Sequence, residues 1–237
     1  MRNKNLFLSC AIIIFIASGC AYYPRLTDVP LIRHKGDTRL EGGITVAYPS
    51  FHATVSHGIS EKMAFQVAGK KNFVEDGYYA QAAVGTYKNL PDRKVLEFYG
   101  GVGYGHGVGH NGGTVSGSYQ VIFLQMNGGY IDRKFSYKIP PLWTVQVEYG
   151  FGLKAGFIMA QMHDDNYFGS YFYHEMPYEG PDLSMQNILF EPMWFMRFGK
   201  DRLKLQMALG LAGVYSISHR SFPFFPVNVG IGFSYSL

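Results

Sequence analysis

Val227-Asn228-Val229-Gly230-Ile231-Gly232-Phe233-Ser234-Tyr235-Ser236-Leu237, at the C-terminal end of the chain, alternates without a break. Val227, Val229, Ile231, Phe233, Tyr235 and Leu237 fall on one side, and Asn228, Gly230, Gly232, Ser234 and Ser236 on the other. A period of two marks an extended strand with two unlike faces. The pattern recurs upstream. Val145, Val147, Tyr149, Phe151, Leu153 and Ala155 oppose Thr144, Gln146, Glu148, Gly150, Gly152 and Lys154, and Leu203, Leu205, Met207, Leu209 and Leu211 oppose Lys204, Gln206, Ala208, Gly210 and Ala212.

Extending this reading predicts ten strands, at 38 to 48, 50 to 58, 62 to 72, 77 to 88, 94 to 106, 118 to 132, 142 to 160, 185 to 199, 202 to 216 and 226 to 237. The sixth carries the weakest pattern, because Val121-Ile122-Phe123-Leu124 runs without alternation. Strands of about 9 to 11 residues or more suit a tilted crossing of the hydrocarbon, and an even count returns both ends to one side. The expected fold class is all-β: a transmembrane antiparallel up-and-down barrel of about ten strands, with eight as the alternative count. One set of connections (58 to 61, 89 to 93, 133 to 141, 200 to 201) is mostly short, and the other includes the longer 106 to 117, 163 to 184 and 217 to 225. Short periplasmic turns and longer outer loops are the usual asymmetry of outer-membrane barrels. A soluble, lipid-anchored barrel of lipocalin type also alternates, but with its apolar face inward. The polar face here holds mainly Gly, Ser, Ala, Asn and Gln, which suits a crowded interior better than a solvated surface.

Composition agrees. Charged residues make up 16% of the 237, against about 25% in a soluble domain. With 18 Tyr and 19 Phe the chain carries too much aromatic surface to stay disordered. After the first twenty residues no stretch approaches the ~18 apolar residues of a spanning helix, which excludes a polytopic helical protein.

The N-terminus reads as an address. Arg2 and Lys4 precede an apolar run from Leu6 to Ile16, closed by Ala17-Ser18-Gly19-Cys20, as in a secretory signal peptide. The small residues before Cys20 resemble a bacterial lipobox, which implies cleavage before Cys20 and acylation of its thiol. Cys10 leaves with the signal, so Cys20 is the only cysteine of the mature chain. Loss of Arg2 and Lys4 takes the net charge from +4 to +2, and no clustered basic stripe calls for nucleic acid. The expected organisation is a lipoprotein signal peptide at 1–19, an acylated Cys and periplasmic tether at 20–37, and an outer-membrane barrel at 38–237.

Several segments resemble a Bacteroidetes family of uncharacterised outer-membrane β-barrel lipoproteins. The resemblance lies in Pro30-Leu31-Ile32 with Lys35-Gly36-Asp37, Leu40-Glu41-Gly42-Gly43, the run Glu97 to Gly105, Phe190-Glu191-Pro192, and Pro223-Phe224-Phe225. It implies a fold and a location in the bacterial outer membrane, and supplies no activity. The terminal Leu237, with aromatics two and four residues before it, resembles the signal read by barrel-assembly machinery. In this phylum, surface display of lipoproteins resembles a process directed by acidic residues just after the Cys. Ala21-Tyr22-Tyr23-Pro24-Arg25 has none, which implies an anchor in the periplasmic leaflet.

The polar faces place Glu41, Glu97, Gln146, Glu148, Lys154, Glu191, Arg197 and Lys204 in a lumen network, with His52, Gln66, Lys70 and Gln206 also inward. In a narrow barrel such charges pair with one another; a narrow polar conduit is the sharper alternative. Few segments are long enough to form a dedicated plug, so side chains are expected to fill the interior. The loop His163, Asp164, Asp165, Tyr167, Tyr171, Tyr173, His174 and Glu175 combines polar groups with exposed aromatics and is the expected interaction surface. Its spacing fits no metal motif, so neither a metal nor another cofactor is expected. His219-Arg220-Ser221 resembles part of the His-x-Ser-Asn motif of lipid A deacylases, with Phe222 in place of Asn. The reading is a non-enzymatic structural or interaction component of the envelope, contacting outer-membrane lipid and a protein partner in an envelope complex. A narrow-pore channel is the runner-up, and a lipid-modifying enzyme the third.

Overall fold

The structure, a computed structural model, describes residues 28–46, 49–73, 76–110, 114–136, 144–164, 182–200, 202–217, 222, 224 and 226–237. Its elements are β1 (Thr38–Thr45), β2 (Ser50–Gly58), β3 (Met63–Asn72), β4 (Tyr78–Leu90), β5 (Lys94–His110), β6 (Thr114–Ser136), β7 (Thr144–Asp164), β8 (Asp182–Lys200), β9 (Leu203–Leu211), β10 (Gly213–Ser216) and β11 (Val227–Ser236). No helix occurs among the described residues.

From β1 to β8 each strand pairs antiparallel with the next, and β1 also pairs with β11, where Gly43 faces Gly232. β8 pairs with β9 through Met193–Lys200 and with β10 through Asn187–Phe190, so β9 and β10 are one strand interrupted at Ala212. β9 pairs with β11 and closes the ring. The result is a closed antiparallel barrel of ten strands, in which β10 pairs with β8 alone among the described residues. The ten strands expected from alternation are all present. The connection expected at 106 to 117 is not a long loop: β5 runs to His110 and β6 starts at Thr114, with His110 opposite Thr114.

The barrel is uneven in height. β5 to β8 are 17 to 23 residues long, whereas β1, β2 and β3 have 8 to 10. One mouth carries the short turns 59–62 and 91–93 and the connections 137–143 and 201–202; the other carries 46–49, 73–77 and 111–113 and the two longest connections, 165–181 and 217–226. The turn after β4 places Asp92 and Arg93 at φ of 62° and 60°, which lets the chain reverse within three residues.

Outward-facing positions are apolar and exposed around most of the circumference, including Phe51, Val67, Val102, Leu124 (72% exposed), Trp194, Met207 and Phe233. Inward-facing positions are buried. In the tall wall the pattern changes with height. On β7, Glu148 and Lys154 point in while Phe151 points out; farther up, Ile158, Ala160 and Met162 point in while Gln161 and His163 point out.

The segment expected to be a tether behaves differently where it is described. Asp28, Val29, Leu31 and Ile32 are 0 to 2% exposed and lie inside the barrel. Three of these four side chains are apolar, so burying them is favourable in a way that a solvated leash would forgo. Gly36 N–H donates to Gly58 carbonyl at 2.8 Å, and Gly58 N–H donates to Asp37 carbonyl at 2.9 Å, which fixes the entry to β1 at the short-turn mouth.

Candidate functional site: a plugged lumen

Period two sends Glu41, Glu148, Arg197 and Lys204 to the inner face from four different strands, and closure of the ring brings them together. Glu148 is the hub. Arg39 donates to it at 2.8 Å, Lys204 at 2.7 Å and Arg197 at 3.4 Å. Arg197 also meets Glu41 at 2.6 Å and donates through Nε to Gln206 at 2.6 Å, while its guanidinium lies 4.5 Å from the Phe195 ring centroid. Arg39, Glu148 and Arg197 are at most 1% exposed. Removing one partner from such a buried cluster leaves uncompensated charge in a region with little water.

The N-terminal segment is threaded through this cluster and held mainly by its backbone. Arg197 donates to the Val29 carbonyl at 2.6 Å, and Gln66 and Gln125 donate to the Asp28 carbonyl at 3.2 and 2.8 Å. Ile32 N–H donates to Glu97 at 2.7 Å, and Asn127 donates to the other Glu97 oxygen at 2.9 Å. Asn89 donates to the Arg33 carbonyl at 2.6 Å. Leu31 adopts φ 54°, a left-handed conformation uncommon for a bulky residue. Its side chain reaches the glycine gap at Gly129, where a Cβ would lie 3.0 Å from Leu31 Cδ1. Val29 and Leu31 form a small core with Val95, Met193, Phe195 and Ala208.

Higher in the lumen lies a second ion pair. Lys154 meets Glu191 at 3.2 Å and donates to Gln81 at 3.1 Å, with its ammonium 4.8 Å from the Phe123 ring centroid and 5.8 Å from that of Tyr79. The rings beside it need room, which β5 provides. A Cβ at Gly101, Gly103 or Gly105 would approach Phe123, Tyr79 or Tyr119 to 2.6 Å or less. Tyr79 and Tyr119 stack with centroids 5.9 Å apart, and Phe222 meets Tyr119 edge-on. The glycine run in β5 is thus a flat wall for aromatic packing.

Of the lumen residues expected from sequence, Glu41, Glu97, Glu148, Lys154, Glu191, Arg197 and Lys204 lie buried inside. Gln146 is half-buried near the short-turn mouth, opposite Gly199 and two residues before Glu148 on the same face. His163 and Asp164 belong to β7 rather than to a loop; His163 Nδ1 lies 2.8 Å from Asp182 Oδ1 on β8. Cys20, Asp165, Tyr167, Tyr171, Tyr173, His174, Glu175 and the stretch His219-Arg220-Ser221 lie outside the described residues. Sequence reasoning missed Arg39, Gln125 and Asn127. Arg39 stands two residues before Glu41, so the same period places it inward. Gln125 and Asn127 were hidden by the unbroken apolar run just before them.

The fold and its interior define a class: a closed ten-strand antiparallel β-barrel whose lumen is filled by ion pairs and by a segment of its own chain. The sequence matches no protein-family model and no curated protein.

Proposed function

We propose that this barrel spans a bacterial outer membrane and serves the envelope as a closed structural or interaction component, lipid-anchored through Cys20. The observation that carries the membrane reading is the outer surface. On β8, Ile188, Phe190, Trp194 and Met196 are about half exposed, and this apolar face runs to Phe198. Ten residue steps at ~3.3 Å, tilted by ~40°, give a band of about 25 Å, the height of the apolar belt on transmembrane barrels. Aromatic groups flank it. Tyr130 and Tyr149 stack at 5.0 Å near the short turns, with Lys94 5.3 Å from the Tyr130 ring, and Tyr78 meets Tyr104 at 6.4 Å toward the other mouth. A water-soluble barrel would leave this belt without a partner.

The filled lumen favours a closed barrel over a conduit, because the Glu148 cluster and the inserted segment are buried together within it, with Leu31, Ile32, Arg39, Glu148 and Arg197 each at most 1% exposed. In a barrel so closed, function falls to the surfaces at the two mouths, where contacts with lipid and a protein partner would be made. The test has two readouts on protein purified from native membranes in mild detergent. Envelope proteins should co-purify with the parent, and fewer should do so when residues 165–181 are replaced by a short Gly-Ser turn. The parent should also be silent in planar bilayers. An unchanged, partner-free preparation that conducts ions steadily would overturn the reading in favour of a channel.

A further inference from the structure

We infer that the chain enters its own barrel from the long-loop mouth, so that the acylated Cys20 is anchored in the outer leaflet, at the cell surface. The inference rests on the outer-membrane and lipoprotein readings above. It departs from the periplasmic-leaflet expectation drawn from residues 21–25.

The described segment gives the direction. Read backward from β1, Gly36 is bonded to Gly58 at the short-turn mouth, Ile32 sits on Glu97, and Asp28 sits on Gln66 and Gln125. Gln125 pairs with Tyr99, two residues farther along β5 from the short turn than Glu97. The backbone therefore climbs away from the short-turn mouth as residue numbers fall.

The way back is filled. A chain returning from Asp28 to the short-turn mouth would need to pass the layer of Leu31, Ile32, Arg39, Glu97, Glu148 and Arg197, each at most 1% exposed. A second pass of backbone has no room there, and it would break buried ion pairs. The way forward is short. From Gln66 to Asn72, the last residue of β3, is six strand steps, about 20 Å. Cys20 precedes Asp28 by eight residues, which span up to about 28 Å when extended. The low wall of β1 to β3 thus brings Cys20 within reach of the rim. The grip on residues 28–33 is mostly on main-chain groups, as expected for holding an extended segment irrespective of its side chains.

The test uses single-cysteine labelling in whole cells, since Cys20 is acylated and no other cysteine remains in the mature chain. Three variants are compared with a membrane-impermeant maleimide: Ala21→Cys beside the anchor, Asp76→Cys on the β3–β4 connection and Glu61→Cys in the β2–β3 turn, the last two at exposed positions. Asp76→Cys should label in intact cells and Glu61→Cys only after permeabilisation. The inference requires Ala21→Cys to label in intact cells to the same extent as Asp76→Cys. Labelling of Ala21→Cys only after permeabilisation, or in neither state, overturns it. Should Asp76→Cys and Glu61→Cys label alike, the membrane-barrel reading fails instead, and an unacylated Cys20 in the mass spectrum of the same proteins removes the lipid anchor.

Discussion

β7 is two strands in one. In its lower part Glu148 and Lys154 face the lumen and Phe151 faces out; in its upper part Ile158, Ala160 and Met162 face the lumen while Gln161 and His163 face out. β8 follows the same course, with Phe190, Trp194 and Met196 outward below and Ser184 and Gln186 outward above. The period is two throughout, but the faces exchange character about two-thirds of the way along. A strand inside a bilayer turns apolar residues outward, and one in water turns them inward. On the membrane-barrel proposal, the difference between the two parts is a change of solvent along one strand, and the tall wall of β5 to β8 would rise out of the hydrocarbon.

The largest effect should come from the lower lumen. Glu148→Ala removes the carboxylate that Arg39, Arg197 and Lys204 all meet, and should cost about 3 to 5 kcal/mol of barrel stability. Urea unfolding of the reconstituted protein, followed by tyrosine and tryptophan fluorescence, measures it. A loss below about 1 kcal/mol would mean that water reaches this cluster and that the lower lumen is not closed.

The outer surface sharpens the comparison through two charges on the same face. Phe151→Arg, exposed at the middle of the apolar belt opposite Trp194, should cost roughly 2 to 4 kcal/mol, as arginine does near a bilayer midplane. Gln161→Arg, ten residues farther along, should change stability by no more than about 0.5 kcal/mol. Equal costs would erase the boundary between the two parts.

A smaller effect is expected where the plug meets the wall. Gln125→Leu removes one of two donors to the Asp28 carbonyl and should cost about 1 kcal/mol, with Gln66 retaining the other contact. Proteolysis at residues 28–33 should become measurably faster in this variant. Smallest of all, Arg93→Gly relieves a left-handed residue in the β4–β5 turn. It should be neutral or stabilising by up to about 1 kcal/mol, since the steric gain is partly offset by unfolded-state entropy. A clear loss would mean that the Arg93 side chain has a role at the short-turn mouth.

The same exchange of faces explains what could be read from the sequence. The strands at 144–155, 203–212 and 227–237 stood out most clearly because their outward residues are apolar against a small or polar inner face. β6 was hardest because Val121 and Phe123 point into the apolar upper lumen while Ile122 and Leu124 point out, so both faces are apolar at once. Most of the charge network followed from the period alone, whereas Arg39 lay at the edge of its strand. The plug had no period to betray it. Its one signal was composition: Val29, Leu31 and Ile32 are apolar in a stretch that a leash would keep polar. The Asp28 and Val29 contacts join positions 38 to 168 residues apart, which no local pattern encodes.

The central claim, that β7 passes from lipid into water between Ala155 and Gln161, is tested most directly by nitroxide labels at these two positions in reconstituted bilayers. Collision rates with oxygen, which concentrates in lipid, and with a water-soluble nickel chelate are measured by electron paramagnetic resonance. The account predicts that the label at 155 is relaxed by oxygen and shielded from nickel, and that the label at 161 shows the reverse. Strong nickel accessibility at both positions would contradict it and restore the soluble barrel.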